Sequence, residues 1–412
     1  RKAAFPEFIE KVYKGSINYA EAVGEELKEN IYKALKILSE GFLKTPGNNI
    51  YEDCLKEIHD NSLILLYRLL FILYAEHRGL LPLGDNKFYT DSYSLDAIKK
   101  EIATRFDKNE LIAYSTFGCW NKLEELFEII NIGNKELDVP PYNGGLFDSE
   151  KHSFIKNYRL GDYYIATTID LLSRSKGKTF IDYGSLNIRH LGSIYEGLLE
   201  YILKIALEPL VPIKAKGKEI YISVEEAKKR NIKIKEENLI QSGEGYLVTD
   251  KGERKATGSY YTPEYIVKYI VENTITPLVE EKKKEISKRI KELTQRMKKA
   301  TGNKKKMYRG EIKKVESKII DDILSLKILD PAMGSGHFLV EATDFLAREL
   351  LKILSGEPFE DIEKEPKVEE TSIPYGFKED EEEEIRWARR EVVERCIFGV
   401  DLNPMAVELA KV

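Results

Sequence analysis

Apolar side chains recur at three- and four-residue spacing along the first part of the chain, which is typical of helices with one buried face. The pattern predicts four helices, over Asn18–Leu38, Tyr51–Arg78, Asn121–Ile130 and Arg189–Leu207. Gly79 and Pro82 are expected to end the second helix. Its most apolar run, Leu63–Ala75, is shorter than the roughly 20 residues of a membrane span. We therefore expect a buried core helix, no membrane partner, and a helical connector domain over residues 1–155.

The middle of the chain, residues 156–255, is predicted to be a mixed α/β linker with a small β element. Strands are predicted over Glu219–Val224 and Tyr246–Thr249, and a third strand is considered over Asn231–Lys235. Downstream, Thr262 is expected to cap a helix whose first turn contains Pro263. A break in that helix is expected before Pro277.

Positive charge is concentrated in residues 282–318, which hold 16 lysines and arginines against 4 glutamates. Gly302 and Asn303 divide this stretch, so we predict two charged helices joined at a turn, as an αα-hairpin inserted over residues 280–320. Two interpretations stay open at this point. The charges form either a solvated helical face or a surface that contacts nucleic-acid phosphates.

The overall composition narrows the class of protein. Apolar residues make up 42% of the 412 residues, which is enough to build cores and excludes a fully disordered chain. The formal net charge of −5 excludes a uniformly basic nucleic-acid coat protein. Cys54, Cys119 and Cys396 lie far apart, so neither a disulfide framework nor a cysteine zinc site is expected, and a cytoplasmic location is predicted. Because the chain starts with Arg1 and stops within a predicted helix, we expect a piece of a longer protein.

The strongest chemical signal is the string ILDPAMGSGHFL at residues 328–339. A short apolar strand ends in Asp330, a glycine-rich turn follows, and a helix is predicted to run to about Leu354. Gly334 and Gly336 would let a ligand approach the backbone closely, and the next helix N-terminus would favour an anionic group. The string is neither the dinucleotide fingerprint nor a phosphate-binding Walker loop.

A second apolar strand ends in an acid at residues 396–404, CIFGVDLNP. Asp401 at its tip could accept hydrogen bonds from ribose hydroxyls, or could instead cap the helix predicted over Pro404–Ala410. It lies 65 residues beyond Gly336, against a usual spacing of about 20. The acidic stretch 357–384 and a helix at Ile385–Arg395 would then be an insertion between helix and second strand.

The third signal is TGSYYTP at residues 257–263, which by itself is also compatible with an ordinary loop and helix cap. In this order, the three strings resemble motifs X, I and II of the γ-class adenine-N6 DNA methyltransferases. Flanking segments resemble the type IIG-like restriction–modification and phage-exclusion methyltransferases; they are RLLFILYAEHRGLLP at 68–82, YNGGLF at 142–147, LGSIYEGLL at 191–199 and GVDLNPMAVELAK at 399–411. The resemblance covers the chain from about residue 50 onward.

The resemblance implies a fold and a cofactor site. After a mainly α N-terminal domain, residues 256–412 would form the N-terminal portion of a Rossmann-like S-adenosylmethionine-dependent methyltransferase fold. The cofactor loop, on the methionine side, would consist of Asp330, Pro331, Ala332, Gly334 and Gly336. Phe338 would pack beneath the cofactor, Thr262 and Pro263 would close over its methionine end, and Asp401 would hold the ribose. Met333 stands where the family commonly has cysteine, and His337 is expected to have no ligand role.

One departure from the family concerns catalysis. Its catalytic motif, Asn/Asp-Pro-Pro-Tyr/Phe, lies downstream of motif II and grips a flipped adenine; the string is absent here. Pro140-Pro141-Tyr142 follows Val139 and lies upstream of motif X, so it is rejected. No catalytic residue is therefore predicted, and the chain by itself is expected to be inactive. No metal site is predicted either, because the sequence has no convincing Pro-Asp…Glu-x-Lys nuclease pattern.

Two rival interpretations stay open beside a central fragment of a methyltransferase that acts on double-stranded DNA with restriction or defence-system subunits. One is a helical scaffold that binds DNA or partner proteins, with phosphate contacts along 282–318. The other keeps S-adenosylmethionine but transfers the methyl group to RNA, protein or a small molecule.

Overall fold

The structure is a computed structural model that describes residues 26–50, 54–142, 145–184, 197–198, 201–215, 218–234, 239–249, 262–354 and 379–411. The chain divides into two compact units. One unit takes up residues 1–259 together with 411–412, and the other takes up residues 260–410. The finer division of the first 255 residues into a connector and a linker stays a prediction.

The first unit is a group of helices followed by short strands. Its described elements are α1 (26–44), α2 (Leu55–His77), a π-helical turn (Tyr89–Tyr93), α3 (Leu95–Asp107), α4 (Gly118–Ile132), α5 (Ser153–Asn157), α6 (Asp162–Ser173), β1 (Tyr201–Ile205), β2 (Leu210–Ala215), β3 (Lys218–Ser223), α7 (Val224–Lys229) and β4 (Gly245–Thr249). The helices predicted from apolar spacing in residues 26–132 are confirmed, with ends displaced by a few residues.

Helix α2 lies at the centre of the first unit, with buried residues on every side from Ile58 to Glu76. Among the described residues, it is the one helix long and apolar enough to cross a membrane, and 83% of its apolar window is buried inside the protein. The prediction of a buried core helix is therefore confirmed. Gly79, with a φ of 65°, and Pro82 follow its last turn as expected.

A buried carboxylate near the end of α2 caps the next long helix. Glu76 is 3% exposed; its Oε1 accepts hydrogen bonds from the Tyr89 hydroxyl (2.9 Å) and the Leu95 N–H (2.7 Å), and its Oε2 accepts one from the Asp96 N–H (3.0 Å). Burial raises the pKa of Glu76 to about 7, although these hydrogen bonds act in the opposite direction. Glu76 thus satisfies two of the amides that open α3.

The strands form two small antiparallel pairs, β1 with β4 and β2 with β3. The predicted strands near Glu219–Val224 and Tyr246–Thr249 are confirmed. The strand considered over Asn231–Lys235 is wrong for residues 231–234, which form a turn and coil, because Ile232 and Ile234 pack beside a small core and pair with no strand.

The helix predicted over Arg189–Leu207 is wrong for residues 201–205, which form β1. The backbone of that segment pairs with β4, and Leu203 is buried within the pair. This partner, distant in sequence, overrides local helical spacing. Gly197 and Leu198 are helical as predicted, whereas Ala206 and Leu207 are not. Residues 185–196 and 199–200 lie outside the described residues.

The second unit packs four long helices beside a two-stranded sheet. Its elements are α8 (Glu264–Lys298), α9 (Gly302–Leu324), β5 (Ile328–Asp330), α10 (His337–Leu354), α11 (Glu379–Cys396), β6 (Ile397–Gly399) and α12 (Pro404–Ala410). The helices share one buried apolar cluster, which includes Val271 and Val279 of α8, Ile323 of α9, Leu346 of α10 and Val392 of α11. The predicted pair of charged helices is confirmed, since α8 and α9 are joined at residues 299–301, directly before the predicted turn at Gly302 and Asn303. The bounds differ from the predicted 280–320, because α8 begins at Glu264 and continues without a break into the charged stretch.

Two local predictions in α8 are corrected. Pro277 lies inside the helix and does not break it. Proline leaves the Asn273 carbonyl without its helical donor, but Ile275 and Val279 on either side are buried in the cluster and hold the helix together. The residue at the N-cap is Pro263 rather than Thr262, and no side chain caps the helix.

Candidate functional site

Strands β5 and β6 are parallel neighbours, with Asp330 opposite Gly399. Their pairing continues into the loops, where the Val400 N–H donates to the Asp330 carbonyl (2.9 Å) and the Met333 N–H donates to the Val400 carbonyl (3.0 Å). The carboxyl ends of both strands therefore meet at one edge of the sheet. In open α/β sheets, this edge is where ligands bind.

The loop after β5 is shaped by its acid and its glycines. The Asp330 carboxylate turns back and accepts the Ala332 N–H at 3.0 Å. Gly334 and Gly336 have φ angles of 54° and 86°, in the left-handed region that glycine adopts at little cost. The Gly336 carbonyl then accepts the Val340 N–H at 2.8 Å, which opens helix α10. Pro331 and Ala332 at the crest of the loop are exposed.

The acid at the tip of the second strand reaches the glycine loop directly. Asp401 Oδ2 accepts the Gly334 N–H at 2.9 Å, and its Oδ1 accepts the Asn403 N–H at 2.8 Å. Each carboxylate oxygen can accept a further hydrogen bond, so capacity for a ligand hydroxyl remains. The same side chain also fixes the turn that leads into α12. The N–H that it accepts belongs to Asn403, which precedes the helix at Pro404–Ala410, so the capping role considered for Asp401 stays a prediction.

Gly399 is a residue of this site that the sequence prediction missed. A Cβ built there would lie 2.0 Å from Met333 Sδ and 2.8 Å from a Leu339 methyl group. Met333, which is 9% exposed, therefore packs against the bare backbone of β6. A glycine inside an apolar strand is the signal that could have revealed this close approach.

The remaining predicted residues lie at different distances from this loop. Phe338 is half-buried and packs against the helical cluster of the second unit. Pro263 begins α8, and its carbonyl accepts the N–H groups of Ile266 and Val267 at 3.0 and 3.1 Å. Within the described part of the chain, no hydrogen bond joins Thr262 or Pro263 to the glycine loop. Residues 257–261 of the same motif lie outside it.

One face of the small sheet is covered and the other is open. Ile328 and Ile397 face the helical cluster. Leu329 and Phe398, paired in register, are 60% and 46% exposed, and Val400 beyond them is 55% exposed. Parallel sheets normally have helices on both faces, so the apolar face presented by these three residues is unusual for a finished α/β layer.

Metal and thiol chemistry find no support in the residues that the structure describes. These residues contain no group of three or more histidine, cysteine or acidic side chains that could hold a metal ion. Cys119 and Cys396 are buried, and burial raises the pKa of both thiols, to about 11 for Cys119. Such thiols remain protonated and unreactive near neutral pH.

Comparison with known proteins places the chain near one curated relative. The chain is 26% identical over 368 residues to a Methanocaldococcus jannaschii protein that carries the provisional name of a type II restriction enzyme and methyltransferase. The match covers 85% of this chain and 24% of the relative, so the chain spans about a quarter of that protein's length. No protein-family model matches the chain, and no solved structure matches it. The distant similarity supports a restriction–modification methyltransferase relationship.

Proposed function

We propose that this chain carries the first part of the S-adenosylmethionine-binding domain of an adenine-N6 DNA methyltransferase of the restriction–modification type. The observation that carries the proposal is the hydrogen bond from the Gly334 N–H to Asp401 Oδ2. It joins a glycine loop and a strand-end acid that are 67 residues apart in sequence, at the carboxyl edge of a parallel strand pair. This is the arrangement that nucleoside-containing cofactors use in doubly wound folds.

The residues present fit S-adenosylmethionine. The left-handed Gly334 and Gly336 keep the loop free of side chains, while Asp330, Pro331 and Ala332 shape its crest, so that the methionine portion can approach the backbone. Asp401 has acceptor capacity left for the ribose hydroxyls. Phe338 would support the cofactor from the side of the helical cluster, and Thr262 and Pro263 would close over its methionine end. When bound, the cofactor supplies a sulfonium-activated methyl group.

The group that accepts the methyl group is inferred less directly than the cofactor. Adenine N6 in double-stranded DNA is inferred from the order of the three motifs and from the name of the relative, which describes a protein about four times as long. Extruding and gripping a target base needs an additional pocket, and this chain contains no Asn/Asp-Pro-Pro-Tyr/Phe string. We therefore assign no catalytic residue, expect no methyl transfer by the chain alone, and place its working context in the cytoplasm with restriction or defence-system partners.

The cofactor assignment can be tested by ultraviolet photolabelling of the chain with S-adenosylmethionine tritiated in its methyl group. S-adenosylhomocysteine serves as the competitor. Specific labelling should fall about tenfold in Asp401→Ala, which corresponds to about 1.4 kcal/mol. Asp401→Asn should retain part of the labelling, because the amide oxygen still accepts one hydrogen bond.

The matched control is Asp85→Asn, the same chemical change at an exposed side chain in the first unit. Thermal unfolding of each variant shows whether the loop is still folded, since Asp401 also accepts two backbone N–H groups. Labelling of folded Asp401→Ala at the wild-type level, or labelling that S-adenosylhomocysteine does not suppress, would refute the assignment.

A further inference from the structure

We propose that the tip of the α8–α9 hairpin, residues 296–309, is a docking surface for the phosphate backbone of double-stranded DNA. The choice of DNA among polyanions rests on the proposed function, whereas the charge and geometry of the tip do not. The surface would hold DNA without reading its sequence.

The tip has a charge of one sign only. Between residues 296 and 309 there are seven basic side chains and no acidic one; the basic residues are Arg296, Lys298, Lys299, Lys304, Lys305, Lys306 and Arg309. All seven are exposed. Within the described part of the chain, none of them forms an ion pair, and the acids that flank the tip in sequence are Glu292 and Glu311.

Some basic residues elsewhere on the helices are paired with an acid on the same helix. Ion pairs one turn apart link Lys44 to Glu40, Lys100 to Asp96, Lys268 to Glu264, Lys352 to Glu349 and Arg395 to Glu391. Such pairing is the usual way in which a solvated helix balances its charges. The tip lacks these partners, so its self-repulsion is not relieved within the fold. Seven exposed charges of one sign within 14 residues, with no acid among them, favour a binding surface over an ordinary solvated face.

The hairpin also carries the tip away from the core that anchors it. The buried members of the apolar cluster in α8 end at Ile286, and Ile290 packs on the edge of the cluster. From Ile290 to Lys298 the helix rises by about 12 Å. At the base, Lys283 Nζ lies 2.7 Å from Glu349 Oε2 of α10, which fixes the hairpin to the rest of the second unit. The hairpin therefore presents the charges beyond the helical cluster of the second unit.

The side chains of the tip fit nucleic-acid phosphates better than they fit a lipid surface. Membrane-binding helices need a continuous apolar face beside the basic one. Here Met307, at 50% exposure, is the one large apolar side chain of the tip that is strongly exposed. Five of the seven basic residues are lysines. Lysine binds phosphate as a point charge and lacks the bidentate geometry with which arginine reads the edges of nucleobases. Binding is therefore expected to be independent of sequence and strongly dependent on salt.

The experiment measures binding of the chain to a fluorescent DNA duplex of about 20 base pairs, two helical turns. Fluorescence anisotropy is recorded between about 50 and 200 mM salt. The tip variant combines Lys304→Gln, Lys305→Gln and Lys306→Gln, which removes three charges while keeping good helix formers. The control variant combines Lys56→Gln, Lys87→Gln and Lys108→Gln, three exposed lysines of the first unit.

If the tip is the docking surface, its variant should bind about tenfold more weakly at mid-range salt. The slope of log affinity against log salt should become shallower by about 2 to 3, because each lost phosphate contact contributes about 0.9. The control should change affinity less than about twofold. Equal losses in the two variants, or an unchanged slope in the tip variant, would overturn the assignment of the tip.

Two further measurements test whether DNA is the polyanion that binds the tip, and whether DNA binding is independent of the cofactor site. Equal or tighter binding to an RNA duplex of the same sequence, or tip-dependent binding to anionic vesicles without binding to DNA, would overturn DNA as the partner. Cofactor photolabelling of the tip variant should remain at the wild-type level. Loss of DNA binding with normal labelling therefore supports the tip, whereas failure of specific labelling in the wild type refutes the proposed function and leaves the DNA measurement valid.

Discussion

Gly399→Ala is a sharp test of the close packing behind the proposed cofactor loop. The new Cβ would meet Met333 Sδ at 2.0 Å, the Leu339 methyl group at 2.8 Å and Met333 Cγ at 3.3 Å. The first two contacts are far inside normal packing distance, so the Met333 side chain must move or β6 must shift away from β5. Overpacking of this kind costs about 1 to 3 kcal/mol.

The prediction becomes specific when Met333 is shortened. In Met333→Cys the sulfur takes the place of Met333 Cγ, so the 2.0 Å contact disappears. A contact near 3.3 Å remains, as does the 2.8 Å contact with the Leu339 methyl group, which is the end of a flexible side chain. The cost of Gly399→Ala should then fall to less than about 1 kcal/mol in the Met333→Cys background. A double-mutant cycle should return a favourable coupling of about 1 to 2 kcal/mol, within the range seen for side chains in direct contact.

The assay uses the two tryptophans of the chain, one in each unit. With 5-fluorotryptophan incorporated, the fluorine resonance of Trp387 in α11 reports the second unit and that of Trp120 in α4 reports the first. A loss of about 2 kcal/mol should lower the urea midpoint of the Trp387 transition by about 1 M. The Trp120 transition serves as the internal control and should not move.

Two outcomes would refute this reasoning. An unchanged Trp387 midpoint in Gly399→Ala would show that β6 and Met333 are not packed as closely as the structure has them. A full-sized loss that persists in the Met333→Cys background would place the cost in the contact with Leu339 or in the backbone of residue 399, and not in the contact with Met333.

Two further predictions concern buried carboxylates and use the same two resonances. Because the folded-state pKa of Glu76 is raised to about 7, above the unfolded value of about 4.3, its contribution to stability is complete below about pH 4 and is lost as pH rises to about 7. Glu76→Gln should abolish this pH dependence of the Trp120 transition and cost about 1 to 3 kcal/mol, since one backbone donor loses its acceptor. An unchanged pH dependence would contradict the raised pKa. Burial favours neutral Glu349, but hydrogen bonds from Lys283 and Lys352 outweigh it and hold the pKa of Glu349 below its usual range. Its contribution to stability is therefore present above about pH 4.5 and is lost as pH falls through the folded pKa, so Glu349→Gln should weaken the loss of stability at acid pH in the Trp387 transition and cost less than about 1 kcal/mol. An unaltered loss at acid pH would show that the contacts of Glu349 with Lys283 and Lys352 are not its source.

The strand, loop and helix around residues 326–354 could be predicted because local and long-range preferences agree there. An apolar run too short for a helix ends in Asp330, and glycines at positions 334 and 336 permit the left-handed turn that follows. The structure has the strand at Ile328–Asp330 and the helix at His337–Leu354. The αα-hairpin was predictable for the same reason, since Gly302 separates two stretches of good helix formers.

The errors arose where tertiary packing outweighs a local rule. Proline disfavours a helix interior by about 3 kcal/mol, yet Pro277 lies in a helix whose neighbouring turns bury Ile275 and Val279. Residues 201–205 carry helical spacing but pair with β4, which lies more than forty residues downstream. Neither the apolar cluster that holds the turns around Pro277 nor the strand that pairs with residues 201–205 can be identified from a window of adjacent residues. Each depends on chain segments that meet only in the folded protein.

The same distinction applies inside the candidate site. Motif order led to the expectation that Asp330, the glycines and Asp401 share one site, and the hydrogen bond between Asp401 and Gly334 is the contact that this expectation requires. The packing of Met333 on Gly399 was not predicted, because it depends on the register of two strands whose paired residues are 69 positions apart in sequence. Resemblance can indicate which residues line a site, whereas register decides what supports them.

The open face of the β5–β6 sheet explains why cofactor binding by this chain is expected to be weak even if every assigned residue is correct. A ligand at the carboxyl edge gains affinity from loops that are held rigid before it binds. Here the glycine loop rests on two strands of three residues each, and Leu329, Phe398 and Val400 leave the second face of the sheet without a packed layer. Ordering such a loop costs about 1 to 2 kcal/mol for each residue that the ligand must fix, which is subtracted from the binding free energy. The photolabelling assay suits this situation, because it detects occupancy at a Kd too weak for calorimetry and still distinguishes the Asp401 variants from the Asp85→Asn control.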